Sequence, residues 1–276
     1  MYKPRLFVVE TVLGCNLQCP GCPIGVNLVT RKKKLMDWDT FIIIADKIKP
    51  YAEYVYLHEW GEPLLHPRII DMVEYLKPIR CGIATNGQLV TDDVAKKLAA
   101  CGVDVMVSLD GYTQEVYEKY RAKGDVKKAY KAVELLLKHD VKDLAVRYVT
   151  FKHNQHELDS FMKKMNEMGI KNASPKVPFV MEGCGLEYAP GYVRETPDKF
   201  SQCVALTRTM TVGVDGTVHI CCNDYNMLGQ LGSLMTHDVL DIYNSEVVNN
   251  LRRDLKNNLP PEVCKQYCWS WRTSRK

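Results

Sequence analysis

The chain has 276 residues, of which 46% are hydrophobic and 25% charged, and its 37 basic and 33 acidic side chains leave a net charge of +4. That is the composition of a globular chain long enough to bury its own core, and it excludes disordered, fibrous and disulfide-dependent folds. A charge so mild and evenly spread gives no reason to expect a nucleic-acid or membrane partner, and no apolar run approaches the ~20 residues that span a bilayer.

The opening segment MYKPRLFVVETV lacks an apolar signal core and a small-residue cleavage site, so a cytoplasmic protein is expected. Eleven cysteines in such a chain point to metal ligands or redox groups rather than disulfides. They are unevenly placed. Cys15, Cys19 and Cys22 crowd the amino end, and Cys203, Cys221, Cys222, Cys264 and Cys268 crowd the last quarter.

Taken in chain order, the β-branched run 6–12 predicts a strand ending at Gly14. Residues 40–48 place Phe41, Ile44, Ala45 and Ile48 at helical spacing. A second strand at 54–57 runs into the turn Gly61-Glu62-Pro63, and a helix follows at 69–76. The strand 81–84 is stopped by Thr85-Asn86-Gly87, and Thr91 caps a helix that ends near Gly102. The apolar run 103–109 closes at Asp110-Gly111. Helices at 127–139 and 156–168 flank a strand at 145–150.

Strands alternating with helices call for a parallel sheet with right-handed crossovers and ligands at the carboxyl ends of its strands. At roughly 30 residues per βα unit, residues 1–175 hold five or six units, too few for a closed eight-unit barrel. The expectation is an α/β fold: a partial (β/α)6 TIM-type barrel, then a linker and surface loop over 176–202. Residues 203–276 are expected to form a small second domain. It comprises a β-hairpin turning at Asp215-Gly216 between strands 209–214 and 217–221, and a helix over 238–255 with Val239, Ile242, Val247 and Leu251 as its apolar stripe.

Cys15, Cys19 and Cys22 put three thiolates at spacings of four and three on a loop just past the first strand. A structural zinc site wants a fourth ligand close by, and no Cys or His follows before Tyr56. Three thiolates around a cubane leave one iron open to a substrate or cofactor chelate.

This C-x3-C-x2-C pattern after the first strand of a partial barrel resembles the radical S-adenosylmethionine (SAM) superfamily. The resemblance implies a [4Fe-4S] cluster whose open iron is chelated by SAM, and a 5′-deoxyadenosyl radical that abstracts hydrogen. Gly21 stands where that family usually carries an aromatic residue. Gly61-Glu62-Pro63 matches the segment that binds the SAM amino group, with Trp60 in place of its first glycine. Ser108 at a strand end and Arg121 after the next helix match residues that hydrogen-bond SAM and pair with its carboxylate.

Cys203, Cys221, Cys264 and Cys268 alone fit zinc or a fully ligated cluster. They resemble the twitch form of the SPASM extension, which holds one auxiliary [4Fe-4S] cluster. The segment from His58 to Leu65 and the Cys203 to Cys221 interval resemble small twitch enzymes that dehydrogenate an aminocyclitol, although the terminal cysteine pair is spaced one residue wider. The implied partners are a small-molecule or peptide substrate and a flavodoxin- or ferredoxin-type electron donor.

Three further residues are candidates for catalysis. His58 and Glu59 sit at a strand end, suited to proton transfer or substrate contact. Cys222 reads either as a hydrogen-atom donor or as a small buried hydrophobe. Cys81 and Cys101 read as core thiols, Cys184 is unassigned, and Trp269-Ser270-Trp271 reads as a packing anchor. The run Arg31-Lys32-Lys33-Lys34 reads as a solvated face, with docking of an acidic electron donor as the alternative. The leading functional reading is dehydrogenation of an alcohol carbon on a small carbohydrate or aminocyclitol. The alternatives are a radical epimerase or peptide maturase, and a zinc-stabilised binding protein.

Overall fold

A computed structural model describes residues 1–176, 187 and 203–268. The chain opens with β1 (Leu6–Val9), then a two-residue antiparallel ribbon of β2 (Val12–Leu13) and β3 (Lys34–Leu35). The predicted strand 6–12 thus stops at Val9. Thereafter strands and helices alternate: α1 (Trp38–Ile48), β4 (Tyr54–Tyr56), α2 (Ile69–Leu76), β5 (Arg80–Thr85), α3 (Asp92–Cys101) and β6 (Asp104–Ser108). Next come α4 (Gln114–Tyr120), α5 (Val126–Lys138), β7 (Leu144–Val149), α6 (Leu158–Glu167) and β8 (Asn172–Lys176). Local chemistry sets the helix ends. The Thr91 side chain accepts from Val94 N, Asp125 accepts from Lys127 N and Lys128 N, and Gly102 takes the left-handed φ of 73° that closes α3.

Strands β1, β4, β5, β6, β7 and β8 lie side by side in that order, all parallel, giving the six-stranded open arrangement expected for the barrel. The sixth strand closes the span 1–175 read as the barrel and ends one residue beyond it. Its sequence, Asn-Ala-Ser-Pro-Lys, has little strand propensity, and Pro175 is tolerated because β8 is an edge strand.

The carboxy-terminal segment does not stand apart from this sheet. After α7 (Val204–Thr207), β9 (Thr209–Val212) pairs in parallel with the free side of β1, matching Leu6 to Thr209 and Val9 to Val212. β10 (Thr217–His219) and β11 (Gln230–Ser233) continue antiparallel, so nine strands form one sheet from β11 to β8. One apolar core follows the sheet across this junction, from Phe7, Val55, Val105 and Val146 to Met210, Val212 and Val218.

The expected helix over 238–255 is two helices, α8 (Val239–Tyr243) and α9 (Glu246–Lys256). The Ser245 hydroxyl accepts from Val248 N at 3.3 Å and starts the second. The break turns Val247 outward, leaving it 57% exposed, while Val248 takes its place in the core. α10 (Glu262–Tyr267) begins directly after Pro261. Cys81 and Cys101 are buried, as read. Cys184 and the Trp269-Ser270-Trp271 anchor lie outside the described residues. Among the described residues no helix is long and apolar enough to cross a membrane.

Candidate active site at the carboxyl ends of the parallel strands

The loop after β2 carries Cys15, Cys19 and Cys22 over the carboxyl ends of the strands, the side where open α/β sheets hold ligands. Leu17 and Cys19 pack on Tyr120 and Phe151, and Gln18 N donates to Ala122 O at 3.0 Å, so the loop is anchored to α4 and its following turn. All three cysteines line a cavity of about 250 Å³, whose other walls include Glu59, Trp60, Asn86, Ser108 and Arg121.

Burial pushes the Cys15 thiol up, and it pushes Cys19 up to about 11, with Arg121 pulling the other way. Thiolates in such surroundings need positive charge beside them, which an iron–sulfur cluster supplies on binding. Hydrogen-bond donors to the sulfurs are already in place. Arg121 Nη1 lies 3.8 Å from Cys19 Sγ, and Asn86 Nδ2 lies 3.7 Å from Cys15 Sγ and donates to Asn16 Oδ1 at 2.8 Å. These residues fit a cluster at this loop.

The Gly61-Glu62-Pro63 segment lies against the same loop, with Glu62 N donating to Gly14 O at 2.9 Å. Contact at Gly61 is so close that a Cβ there would sit 2.0 Å from Val12 O. Glu62 is 2% exposed, and its carboxylate accepts from Leu64 N, Thr85 Oγ1 and Asn86 N at 3.1, 2.8 and 2.8 Å. Burial raises its pKa, against the lowering effect of these bonds. Glu62 therefore ties the end of β4 to the end of β5 and presents Asn86 to the cavity. Gly61 and Glu62 line the cavity, whereas Pro63 is buried at the start of a short helical turn and does not.

Arg121 has a committed partner. Its Nε donates to Asp110 Oδ2 at 2.5 Å, and Asp110 also accepts from Val149 N. The expected pairing with an incoming carboxylate is thus left to the other guanidinium nitrogens. Ser108 lines the cavity from the end of β6. Asn86 and Asp110 are site residues that the sequence presents only as turn formers. The available signal was their position immediately after a parallel strand.

His58 and Glu59 both line the cavity. His58 Nδ1 accepts from Ala84 N at 3.1 Å, and burial, partly offset by a hydrogen bond with the Gly82 backbone, lowers its pKa to about 4. It is a neutral imidazole near pH 7. The Glu59 side chain is 1% exposed, yet neither of its oxygens has a hydrogen-bond partner. His219 Nε2 lies 3.6 Å from Glu59 Oε1, on β10 and equally buried. Burial opposes charge on His219, but Glu59, Asp224 and Glu10 together raise the histidine pKa. This pairing joins residues far apart in the chain, and nothing in the local sequence around His219 announces it.

Cys222 touches solvent, yet its surroundings desolvate the thiol and, with the nearby Glu59 charge, push it up to about 11. Its carbonyl accepts from Trp60 Nε1 at 2.6 Å. Arg31 departs from the solvated face read for its run: it makes a two-pronged ion pair with the fully buried Glu10 at 2.7 and 3.0 Å. Lys32 and Lys33 are exposed, as read.

The four carboxy-terminal cysteines come from three elements. Cys203 precedes α7, Cys221 follows β10, and Cys264 and Cys268 lie in and at the end of α10. They pack on a small apolar core of Leu206, Ile220, Val248 and Leu255. Burial raises the Cys203, Cys221 and Cys264 thiols, the last to about 12, and neighbouring thiols add to the effect. Four soft sulfur donors in apolar surroundings suit a closed four-thiolate centre.

Comparison with known proteins places this geometry. Residues 9–165 match the model of the radical SAM superfamily, and residues 203–269 match an iron–sulfur cluster-binding domain, SPASM. The chain is 28% identical over 170 residues to an AdoMet-dependent heme synthase of Methanosarcina barkeri, covering 60% of this chain and 48% of that protein. It is 35% identical over 169 residues to the mycofactocin maturase MftC of Mycobacterium ulcerans, covering 60% and 45%. It thus spans about half the length of these curated relatives. Among solved structures, BtrN in complex with AdoMet and 2-DOIA superposes with a TM-score of 0.63 at 21% identity, covering 93% of this chain and 89% of that one.

Proposed function

We propose that this chain, which belongs to the radical SAM superfamily, dehydrogenates an alcohol carbon of a small carbohydrate or aminocyclitol. Its cofactors are S-adenosylmethionine and two [4Fe-4S] clusters. When bound, these supply a 5′-deoxyadenosyl radical that takes one hydrogen atom from the substrate carbon, and an auxiliary centre that accepts the remaining electron. In this reading Cys15, Cys19 and Cys22 hold the first cluster, and Cys203, Cys221, Cys264 and Cys268 hold the second. Gly61, Ser108, Asn86 and Arg121 bound the SAM space. The hydroxyl proton goes to Glu59, so the substrate loses one hydrogen atom, one proton and one electron and becomes a carbonyl compound.

The observation that carries this reading is Glu59. A carboxylate buried on the cavity wall with both oxygens lacking a hydrogen-bond donor costs free energy unless a ligand supplies one. A substrate hydroxyl does so, and its proton then has an acceptor in place.

The test is anaerobic reconstitution followed by incubation with SAM, dithionite and a panel of amino sugars and cyclitols, read by mass spectrometry. The expected result is 5′-deoxyadenosine together with loss of two hydrogens from one panel member. Glu59→Gln, which keeps the shape and removes the base, should slow product formation about 10²- to 10⁴-fold. A Glu59→Gln enzyme as fast as the parent would overturn the assignment.

A second reading, peptide maturation, is supported by the 35% identity to a mycofactocin maturase. The same assay with peptide substrates separates the two. Cys222→Ala separates the epimerase reading, whose turnover it should stall, from dehydrogenation, which it should leave intact. The reductant in this reading is a flavodoxin- or ferredoxin-type protein.

A further inference from the structure

Trp60 occupies the position immediately before Gly61 and lines the cavity from the barrel side. Its indole N–H is committed to the main chain of the carboxy-terminal segment. It donates at 2.6 Å to the carbonyl of Cys222, the residue that follows the auxiliary ligand candidate Cys221, and its ring meets Tyr225 edge-on at 6.1 Å. The same short segment is held at its far end. Asn226 Oδ1 accepts from Thr30 N at 2.8 Å, Asn226 Nδ2 donates to Leu28 O at 3.1 Å, and Arg31 Nε donates to Tyr225 O at 2.8 Å. Arg31 is itself fixed by Glu10. Residues 222–226 are thus clasped between the chain leaving the amino-terminal cysteine loop and the tryptophan beside the SAM motif.

We propose that Trp60 is a positioning residue that, with the Asn226 clasp, holds the auxiliary cysteine loop in register against the amino-terminal half of the chain. The proposal rests on the radical SAM reading of both cysteine sets. Its physical content is that one indole hydrogen bond links the wall of the first site to the main chain one residue from a ligand of the second. A glycine at position 60 could not make this link. The tryptophan therefore replaces backbone freedom at the SAM motif with a contact between the two halves of the sheet.

The test uses Trp60→Phe, which keeps an aromatic ring and removes the donor, and Asn226→Ala, which loosens the same clasp away from the cavity. Amide exchange across 221–227 should rise about fivefold in Trp60→Phe, the equivalent of one net hydrogen bond. The second measurement is the midpoint potential of the auxiliary cluster in the full reconstituted chain, its signal isolated by alanines at Cys15, Cys19 and Cys22. Loosening admits water, which favours the more negatively charged reduced cluster, so the potential should shift positive in both variants, further in Trp60→Phe. A merely structural loss would lower the unfolding midpoint and leave that potential in place. An unchanged potential at equal iron content in both variants overturns the proposal. If the parent chain instead forms no 5′-deoxyadenosine from SAM and dithionite, the functional reading itself fails, and that result is separate from any Trp60 effect.

Discussion

Glu10 has no solvent exposure and faces Arg31 on one side with Glu59 and His219 nearby. Burial dominates, and its pKa is raised from 4.5 to about 7 despite the arginine. In the unfolded chain this carboxyl ionises near its ordinary value, so between about pH 4.5 and 7 the folded state holds the proton more tightly. The resulting stabilisation is complete below the unfolded pKa and is lost as pH rises through about 7. One pKa unit is worth about 1.4 kcal/mol, so the loss is on the order of 3 kcal/mol. Glu62 and Asp110 are also raised by burial and act in the same direction. The expected outcome is a urea midpoint that falls from pH 4.5 to 7 in the cluster-free protein, with Glu10→Gln flattening part of the slope. Parallel pH profiles for the two proteins would contradict this. The Glu10–Arg31 pair also shows where residue-level reading stops: in sequence, Arg31 is one more charge in a basic run, and only a partner twenty-one positions earlier takes it out of solvent.

At the scale of elements, the cysteine loop and the Gly61-Glu62-Pro63 segment form one unit. Glycine at 61 is dictated by the 2.0 Å that a Cβ would leave to Val12 O and 2.8 Å to Gly14 O. Gly61→Ala must push the loop outward, because the obstructing atoms are backbone. Overpacking of this kind costs about 1–3 kcal/mol, and it moves the base of the cysteine loop. The expected outcome is a protein that folds with a lowered unfolding midpoint, takes up about half the parent's iron, and forms no 5′-deoxyadenosine. Full iron uptake would show that the loop does not depend on this contact. Much of the unit was legible in the sequence, because the spacing of three cysteines and a Gly-Glu-Pro turn is local information. The role of Glu62 was not. It is a strut whose partners, Thr85 and Asn86, sit at and just past the end of the next strand. The single helix expected over 238–255 failed for a related reason. An apolar stripe persists across Asn244-Ser245, and only the Ser245 cap shows that a new helix starts there.

For the molecule as a whole, the strand alternation and the carboxy-terminal hairpin were both legible. Their union was not, because parallel pairing of β9 with β1 joins segments about two hundred residues apart and leaves no periodic trace. The consequence is mechanical. Without residues 203–268, β1 becomes an exposed parallel edge, and the core that runs from Phe7 and Val9 to Met210, Val212 and Val218 is cut open. Phe7 and Val9, the large apolar side chains so exposed, each forfeit roughly 1.5–3 kcal/mol, and together that is a sizeable share of the stability of a typical domain. A chain ending at residue 202 should therefore lose cooperative thermal unfolding and elute as aggregate, even though it retains Cys15, Cys19 and Cys22. Alanines at Cys203 and Cys264 in the full chain should by contrast leave a folded protein that binds about half the parent's iron and still cleaves SAM. Far-ultraviolet circular dichroism melts and size-exclusion chromatography on the two proteins decide the matter. A monomeric truncated chain with a sharp transition would mean that the barrel is stable without its partner strands, and that the shared sheet is a docking contact rather than a common core.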